Sequence, residues 1–564
     1  MAVFLAFALL AGNSQAQDRS AIPGPERSGF ATIQQQELRH DLAYLSSDQL
    51  GGRLSLTSGD GQAIAWIADQ FAKAGLEPIV PDASGKPSFL QPITLVEFRP
   101  DRAASTIALT RAGSTTIWHA PQAFGTYKQA LDLNAPVVFA GYGITAPELG
   151  YDDYAGIDAR GKIVLVFDHE PQEDDPHSIF NGTGNTRYAT SRVKVLNAQA
   201  HGAVAVLLVA EPNRKHLTNA ERAQRIGSSI VRPIPLPIQA IQDDEIHIPL
   251  ASVLDAVAQQ LYATTGSTLS IAQTAIDRDL KPQSRALPDT SVTLHLRNTS
   301  ERTGVTDNVV GLLSGSDPAL APETILITAH HDHDGMAPCA DPAHPPVSIP
   351  PDPHPCPQIW RGADDNGSGT VGVVALARAF AANPIKPKRS ILFVVFASEE
   401  RGLLGAYWMA AHPLRPLATT RAQINFDMIG RDEAASPQTD GLIEIPKDTT
   451  NRLNLIGALY SPDYDRTVKE ENKAIGLILD DRFDHESALN VFFRSDQFPF
   501  VLHDVPAFWW FTGFHPDYHH TTDTVDKIDF PKMQKILQLA YLTGWRFASE
   551  PTPPRFIENP SGGK

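Results

Sequence analysis

Two adjacent carboxylates, Glu399 and Glu400, stand just past an apolar, β-rich run at 391–396 and lead into Arg401-Gly-Leu-Leu-Gly405. In open α/β sheets, ligands bind in the crevice at the carboxyl ends of strands. A carboxylate pair delivered there can hold a metal ion or move a proton. Taken alone, the pair reads better as a solvated charge pair at a helix start. Four more segments in the same half of the chain repeat the arrangement. Ile327-Thr-Ala-His-His-Asp-His-Asp-Gly335 follows a strand-like run, and Arg361-Gly-Ala-Asp-Asp-Asn-Gly-Ser-Gly369 opens a helix-like one. Asn425-Phe-Asp-Met-Ile-Gly430 ends a strand, and Asp517-Tyr-His-His-Thr-Thr-Asp-Thr524 precedes the last helix. A His/Asp/Glu set without thiolates suits Zn²⁺ or another borderline divalent ion.

The elements that must position these residues alternate from about residue 292 onward. Runs at 309–313, 325–328, 391–396 and 422–426 read as strands, and 369–382 and 534–547 as helices. That alternation predicts a three-layer α/β domain with a mostly buried sheet. Upstream, residues 34–80 predict two amphipathic helices, the second ending at Gly75, separated by a turn at Ser47-Asp-Gln-Leu-Gly-Gly-Arg-Leu54. Residues 86–125 alternate like short strands. From about 130 to 285 the texture changes to a β-rich unit with a helix near 193–200, and no concentrated set of catalytic residue types is read there. The expected division is 1–16 export signal, 17–128 first part of the catalytic domain, 129–288 insertion, 289–550 main catalytic domain and 551–564 disordered tail.

The chain of 564 residues carries 47 basic and 64 acidic residues, a net charge of -17, which argues against nucleic acid and anionic membranes as partners. Residues 2–11 form an apolar stretch too short to span a bilayer, and Ser14-Gln15-Ala16 fits a cleavage site that leaves Gln17 first. The expectation is an exported, periplasmic or secreted protein with no membrane span after cleavage. The two cysteines, Cys339 and Cys356, share a Pro-rich loop. In an exported protein a disulfide between them is the default, ahead of a small metal site with His344 and His354.

The order and spelling of these motifs resemble the M28 family of co-catalytic zinc exopeptidases. The resemblance includes Thr306-Asp-Asn-Val-Val-Gly, the five segments above and the N-terminal Leu-Gly-Gly-Arg turn. The middle unit resembles a protease-associated (PA) domain. The resemblance implies a three-layer αβα, phosphorylase/hydrolase-like zinc-exopeptidase domain with a mixed, largely parallel sheet. It also implies two Zn²⁺ ions. His330 and Asp427 would bind one, Glu400 and His519 the other, and Asp365 would bridge them. Asp332 would accept the second ring N–H of His330, and Glu399 would be the general base toward a water shared by the metals. His331 and Asp364, adjacent to assigned residues, fall out of the family's register; at the neighbouring pair the register selects His519, with His520 as the alternative. A cis peptide is expected between Asp365 and Asn366. Arg494 and Tyr518 are expected at the substrate, whereas Gln497 departs from a family histidine. Trp509 and Trp510 are expected in the core. The implied activity is an aminopeptidase acting on peptides. The alternatives are a carboxypeptidase using Arg361, Arg431 or Arg494, a mono-zinc glutaminyl-cyclase-like acyltransferase, and a non-catalytic ectodomain.

Overall fold

Strands whose two faces are both apolar build the centre of the molecule. In Ser390–Phe396, Ile391, Phe393 and Val395 point to one side, and Leu392, Val394 and Phe396 to the other. Thr324–His330 repeats the pattern. Burial on both faces is what a parallel, helix-covered sheet requires. The computed structural model describes residues 24, 26–214, 216, 235–338, 356–436, 439–486 and 489–557. The predicted signal segment, Gln17, Cys339 (hence the Cys339–Cys356 pairing) and residues 558–564 lie outside them.

Among the described residues a nine-stranded mixed sheet runs in the order Ile238–Ile241, Leu90–Pro100, Asn298–Leu313, Ser390–Phe396, Thr324–His330, Thr420–Phe426, Ala507–Phe511, Arg452–Ile456, Ile478–Asp480. Its middle strands, from Ser390–Phe396 to Ala507–Phe511, are parallel. Helices Gln35–Leu45, Ser58–Ala74, Gly369–Ala381 and Phe530–Ser549 contribute their apolar faces to the core on one side. The second of these stops where Gly75 takes a left-handed φ of 79°, as the sequence predicts. Leu404–Ala411 and Phe498–Val501 pack against the opposite face. The three-layer αβα expectation holds.

An eight-stranded sheet forms the inserted unit. The expected boundaries do not match it. Thr106–Arg111, Ser114–Trp118 and Ala123–Thr126, assigned to the catalytic domain, belong to this second sheet, as does Arg285–Leu296. Antiparallel pairing of Arg111 with Thr290 joins the unit's two ends. Conversely, Ile238–Ile241, from within the insertion, pairs with Leu90–Pro100 in the larger sheet. The tail expectation also changes. Ile557 donates its N–H to the Tyr460 carbonyl at 2.8 Å, and the Phe556 ring lies parallel to that of Tyr460 at 5.8 Å.

The N-terminal turn packs against the acid-bearing loops. Gly52 has φ 71°, and a Cβ there would lie 2.3 Å from the Gly335 carbonyl oxygen and 2.4 Å from that of Trp360. Only glycine allows this approach. Next to it, buried Arg53 donates to the carbonyls of His331 (2.8 Å), Leu45 (2.6 Å), Arg361 (2.6 Å) and Gly362 (2.9 Å). Burial lowers its pKa to about 10, with Asp365 and Asp332 pulling the other way, so it stays charged at neutral pH. One guanidinium thus fastens two of the acid-bearing loops to the end of helix Gln35–Leu45.

Candidate functional site: a buried imidazole–carboxylate cluster

The parallel strands end in three sharp loops that converge. Thr324–His330 delivers His330, Ser390–Phe396 leads to Glu399 and Glu400, and Thr420–Phe426 leads to Asp427. Asp365 comes from the turn before Gly369–Ala381, and His519 from the loop before the last helix. The peptide between Asp365 and Asn366 is cis, as expected. Ser398, Leu403, Met428 and His519 all hold positive φ, between 55° and 59°. Such conformations cost energy in non-glycine residues and cluster at functional sites.

His330 Nε2 lies 3.6 Å from Asp365 Oδ1, 3.6 Å from Asp427 Oδ1 and 3.7 Å from Glu399 Oε2. His519 Nε2 lies 3.1 Å from Asp365 Oδ2 and 3.2 Å from Glu400 Oε2. Asp365 therefore reaches both histidines, one oxygen each. The structure also separates the adjacent pairs. His331 turns away, with Nδ1 3.2 Å from Asp60 and Nε2 3.1 Å from the Asp307 carbonyl. His520 Nδ1 faces the Tyr518 carbonyl at 2.7 Å. Asp364 accepts from Gly430 N–H at 2.7 Å and meets His515 at 3.1 Å.

Asp332 departs from its expected part. Its carboxylate accepts the backbone N–H groups of Glu399 (2.9 Å) and Glu400 (3.3 Å). His330 Nδ1 lies 3.3 Å from the Asp332 carbonyl and 3.7 Å from the carboxylate. Two inward N–H groups of a tight turn outcompete the ring for the carboxylate, so Asp332 chiefly fixes the Glu399–Glu400 turn.

Two residues of the same segment went unassigned from sequence. His333 Nδ1 lies 2.6 Å from Glu400 Oε1, and Asp334 Oδ2 lies 3.1 Å from His519 Nδ1. Asp334 is itself held by Arg401 at 2.5 Å. A carboxylate on the far nitrogen of an imidazole fixes its tautomer and orientation. The signal was the continuation of the His/Asp run past Asp332. Further support is also hidden from sequence. Asp523 Oδ2 accepts from both Asp364 and Asp365 N–H, and Ser495 Oγ donates to Asp427 Oδ2 at 2.6 Å.

The electrostatics follow from crowding. Burial pushes the Glu399 pKa well up, and Asp427 and Glu400 add to this against the pull of His330. Burial raises Asp365 to about 6, helped by Glu400. Burial also works against ionisation of Glu400, but His519 and His333 outweigh it and hold Glu400 at about 2. His330 Nε2 is buried without a hydrogen-bond partner and faces Asp365, Asp427 and Glu399. An orphaned imidazole nitrogen facing several carboxylates is part of the donor set of a borderline divalent ion. The 3.1–3.6 Å separations are near the ~3.3 Å between ligands of a tetrahedral Zn²⁺ with bonds of ~2.0–2.1 Å.

A cavity of about 630 Å³ opens from Glu399 and Glu400 to Arg494, Tyr518, Phe493 and Phe498. Arg192, Val195 and Ile241 of the inserted region line its other side. The Arg192 guanidinium sits 3.7 Å over the Tyr407 ring and is paired with Asp244 and Glu245. The Tyr518 ring lies 4.2 Å from that of His519, and Arg494 sits 5.4 Å from the Phe514 ring. Arg361 pairs with Asp48 at 2.7 Å and Arg431 with Asp517 at 2.8 Å. Trp509 and Trp510 are core residues, with indole N–H groups given to the Asp427 carbonyl and the Tyr464 hydroxyl. Gln497 holds the Phe492 carbonyl and accepts from Asn425 at 3.2 Å.

Fold and site together define an αβα domain with a buried cluster of imidazoles and carboxylates, of a composition that could hold metal, at the carboxyl edge of its sheet. Residues 308–543 match the family model of peptidase family M28, and residues 133–261 match that of the PA domain. A probable zinc metalloprotease of Pyrenophora teres f. teres (strain 0-1) is 38% identical over 112 residues, 18% of this chain and 24% of that protein. Aminopeptidase YwaD of Bacillus subtilis (strain 168) is 24% identical over 391 residues, 68% of this chain and 60% of that protein. The match thus spans less than two thirds of either relative's own length. Among solved structures, an aminopeptidase from Aneurinibacillus sp. strain AM-1 aligns over 95% of this chain and 97% of its own, with 18% identity and a TM-score of 0.48.

Proposed function

We propose that the protein is an exported di-zinc aminopeptidase. The observation that carries this reading is the single carboxylate of Asp365 facing His330 with one oxygen and His519 with the other. His330, Asp427 and Asp365 would hold one ion, and Glu400, His519 and Asp365 the second. Such a pair, when bound, activates water and polarises a peptide carbonyl. The chain's own residues supply the rest. Glu399 takes a proton from water in the cleft and returns it to the departing amine. Asp332 holds the Glu399 turn in place, and Asp334 orients His519. The cavity, bounded by the inserted region, has the size of a site for one small ligand and admits a peptide end.

Several observations favour the amino end. The cleft floor is acidic and can hold an ammonium group. Of the three arginines a carboxypeptidase could use, Arg361 and Arg431 are already paired to carboxylates. The name of one relative, aminopeptidase YwaD of Bacillus subtilis, points the same way. The full chain is expected to release p-nitroaniline from aminoacyl-p-nitroanilides, to stop when a chelator is added, and to recover with zinc. Faster cleavage of N-blocked peptides at a free carboxyl end would instead make it a carboxypeptidase, with Arg494 as the carboxylate anchor. Export belongs to the same proposal and rests on the apolar 2–11 run and Ser14-Gln15-Ala16. None of the described helices is long and apolar enough to cross a membrane. Protein recovered outside the cytoplasm is expected to begin at Gln17 on N-terminal sequencing, and an intact leader there would refute cleavage.

A further inference from the structure

The inserted unit is not as bare of chemistry as its sequence suggested. Its strands Ile163–Phe167 and Ala205–Val209 are parallel neighbours, and both end on the same edge. His169 and Glu173 follow the first, and Glu211 and His216 the second. The side chains of Glu173 and Glu211 are fully buried and that of His216 is 16% exposed. His216 Nε2 lies 2.5 Å from Glu173 Oε2 and 3.1 Å from Glu211 Oε2. The three atoms meet one another as charge contacts, and none has a hydrogen-bond partner outside the trio.

We infer that Glu173, Glu211 and His216 form a separate divalent-metal site of the zinc class in the inserted domain. Two carboxylate oxygens and one imidazole nitrogen are a borderline-metal donor set, and a fourth position is left for water. His169 is excluded as a fourth ligand by its orientation. Its ring is stacked on that of His216 at 3.8 Å and within 5° of parallel, so the in-plane lone pairs of the two rings do not meet at one point. It instead holds Glu173 Oε1 at 2.9 Å through Nδ1, as groups behind metal ligands do. Arg214 contacts the other oxygen of Glu211 and pairs with Asp277 at 2.9 Å. Arg214 offsets one of the two glutamate charges, and the remaining charge still favours a cation. The ion would tie together the starts of two loops, one of which continues to the catalytic domain. There Asn181 donates to the Tyr460 hydroxyl at 2.9 Å and Arg187 pairs with Asp504 at 2.8 Å.

The test uses the full chain, Glu173→Gln and His216→Gln, each stripped with chelator and dialysed against Zn²⁺ alone. Elemental analysis is expected to find one zinc fewer per chain in each variant than in the wild type, with p-nitroanilide cleavage within about twofold of it. Zinc titration of the stripped wild type is expected to show a binding step, and a rise in melting temperature, that both variants lack. Equal zinc content in wild type and variants overturns the inference, leaving His216 as a proton-carrying bridge between two glutamates. The wild-type titration stands even if a variant misfolds. Failure of the di-zinc reading would alter the zinc content of all three proteins alike and leave their difference of one untouched.

Discussion

Glu399→Gln is expected to keep the zinc of the wild type and to lose about 10²- to 10⁴-fold in kcat, the range of a general base. The two glutamates differ by environment rather than type. Glu400 has both oxygens engaged, Oε1 with His333 at 2.6 Å and Oε2 with His519 at 3.2 Å, and is held ionised. Glu399 touches the cluster only at 3.7 Å from His330 Nε2, while its backbone N–H is anchored on Asp332 and the preceding Ser398 takes φ 56°. Burial and neighbouring carboxylates raise its affinity for a proton, which a group that must accept one and then release it requires. Glutamine fills the same volume and cannot accept that proton. Elemental analysis beside steady-state kinetics decides the matter. A variant that lost zinc would make Glu399 a ligand, and one that kept its kcat would remove it from proton transfer.

The sheet and its strand ends could be read from the chain because each strand is locally complete. Ile391 to Phe396 is apolar on both faces, and its acidic residues follow directly. The choice of His330 over His331, and of His519 over His520, depended on register within a motif, and the structure turns each rejected neighbour toward a backbone carbonyl. What sequence did not show is long-range. Thr106–Arg111 reads as an ordinary strand, and its partner Arg285–Leu296 lies far along the chain, so the edge of the inserted sheet was misplaced. Arg53 looked like the end of a turn, yet it holds four carbonyls from three separate segments. Glu173, Glu211 and His216 carry no motif spacing, and only the parallel pairing of Ile163–Phe167 with Ala205–Val209 brings them together. Asp332 shows a third kind of gap. Its proximity to His330 followed from spacing, but its hydrogen-bond partners were set by the competing N–H groups of a neighbouring loop.

Asp365→Asn should deplete the catalytic cluster of both ions, whereas Asp427→Asn should weaken one. The asymmetry comes from reach: Asp365 faces both histidines, and Asp427 only His330. Asp365 is also held rigidly in place, since Asp523 accepts its backbone N–H at 3.1 Å and Asn366 ties the next turn to the Phe426 carbonyl at 2.9 Å. Zinc content measured at limiting free Zn²⁺ should therefore fall about twice as far in Asp365→Asn as in Asp427→Asn, with activity lost in both. Stability gives an independent sign. Without metal, Asp365 is a buried acid crowded by Glu400, and burial with that repulsion raises its pKa to about 6. A carboxyl whose pKa is raised on folding destabilises the fold once pH exceeds its unfolded value, and increasingly so up to its folded one. Neutralising it should leave the chelated protein at pH 8 as stable as the chelated wild type or more so, by about 1–3 kcal/mol. With saturating zinc the order should reverse, because only the wild type gains the full binding energy of the ions. A chelated variant that melts well below the chelated wild type would mean that Asp365 serves the fold itself rather than a cation, and the bridging role would fail.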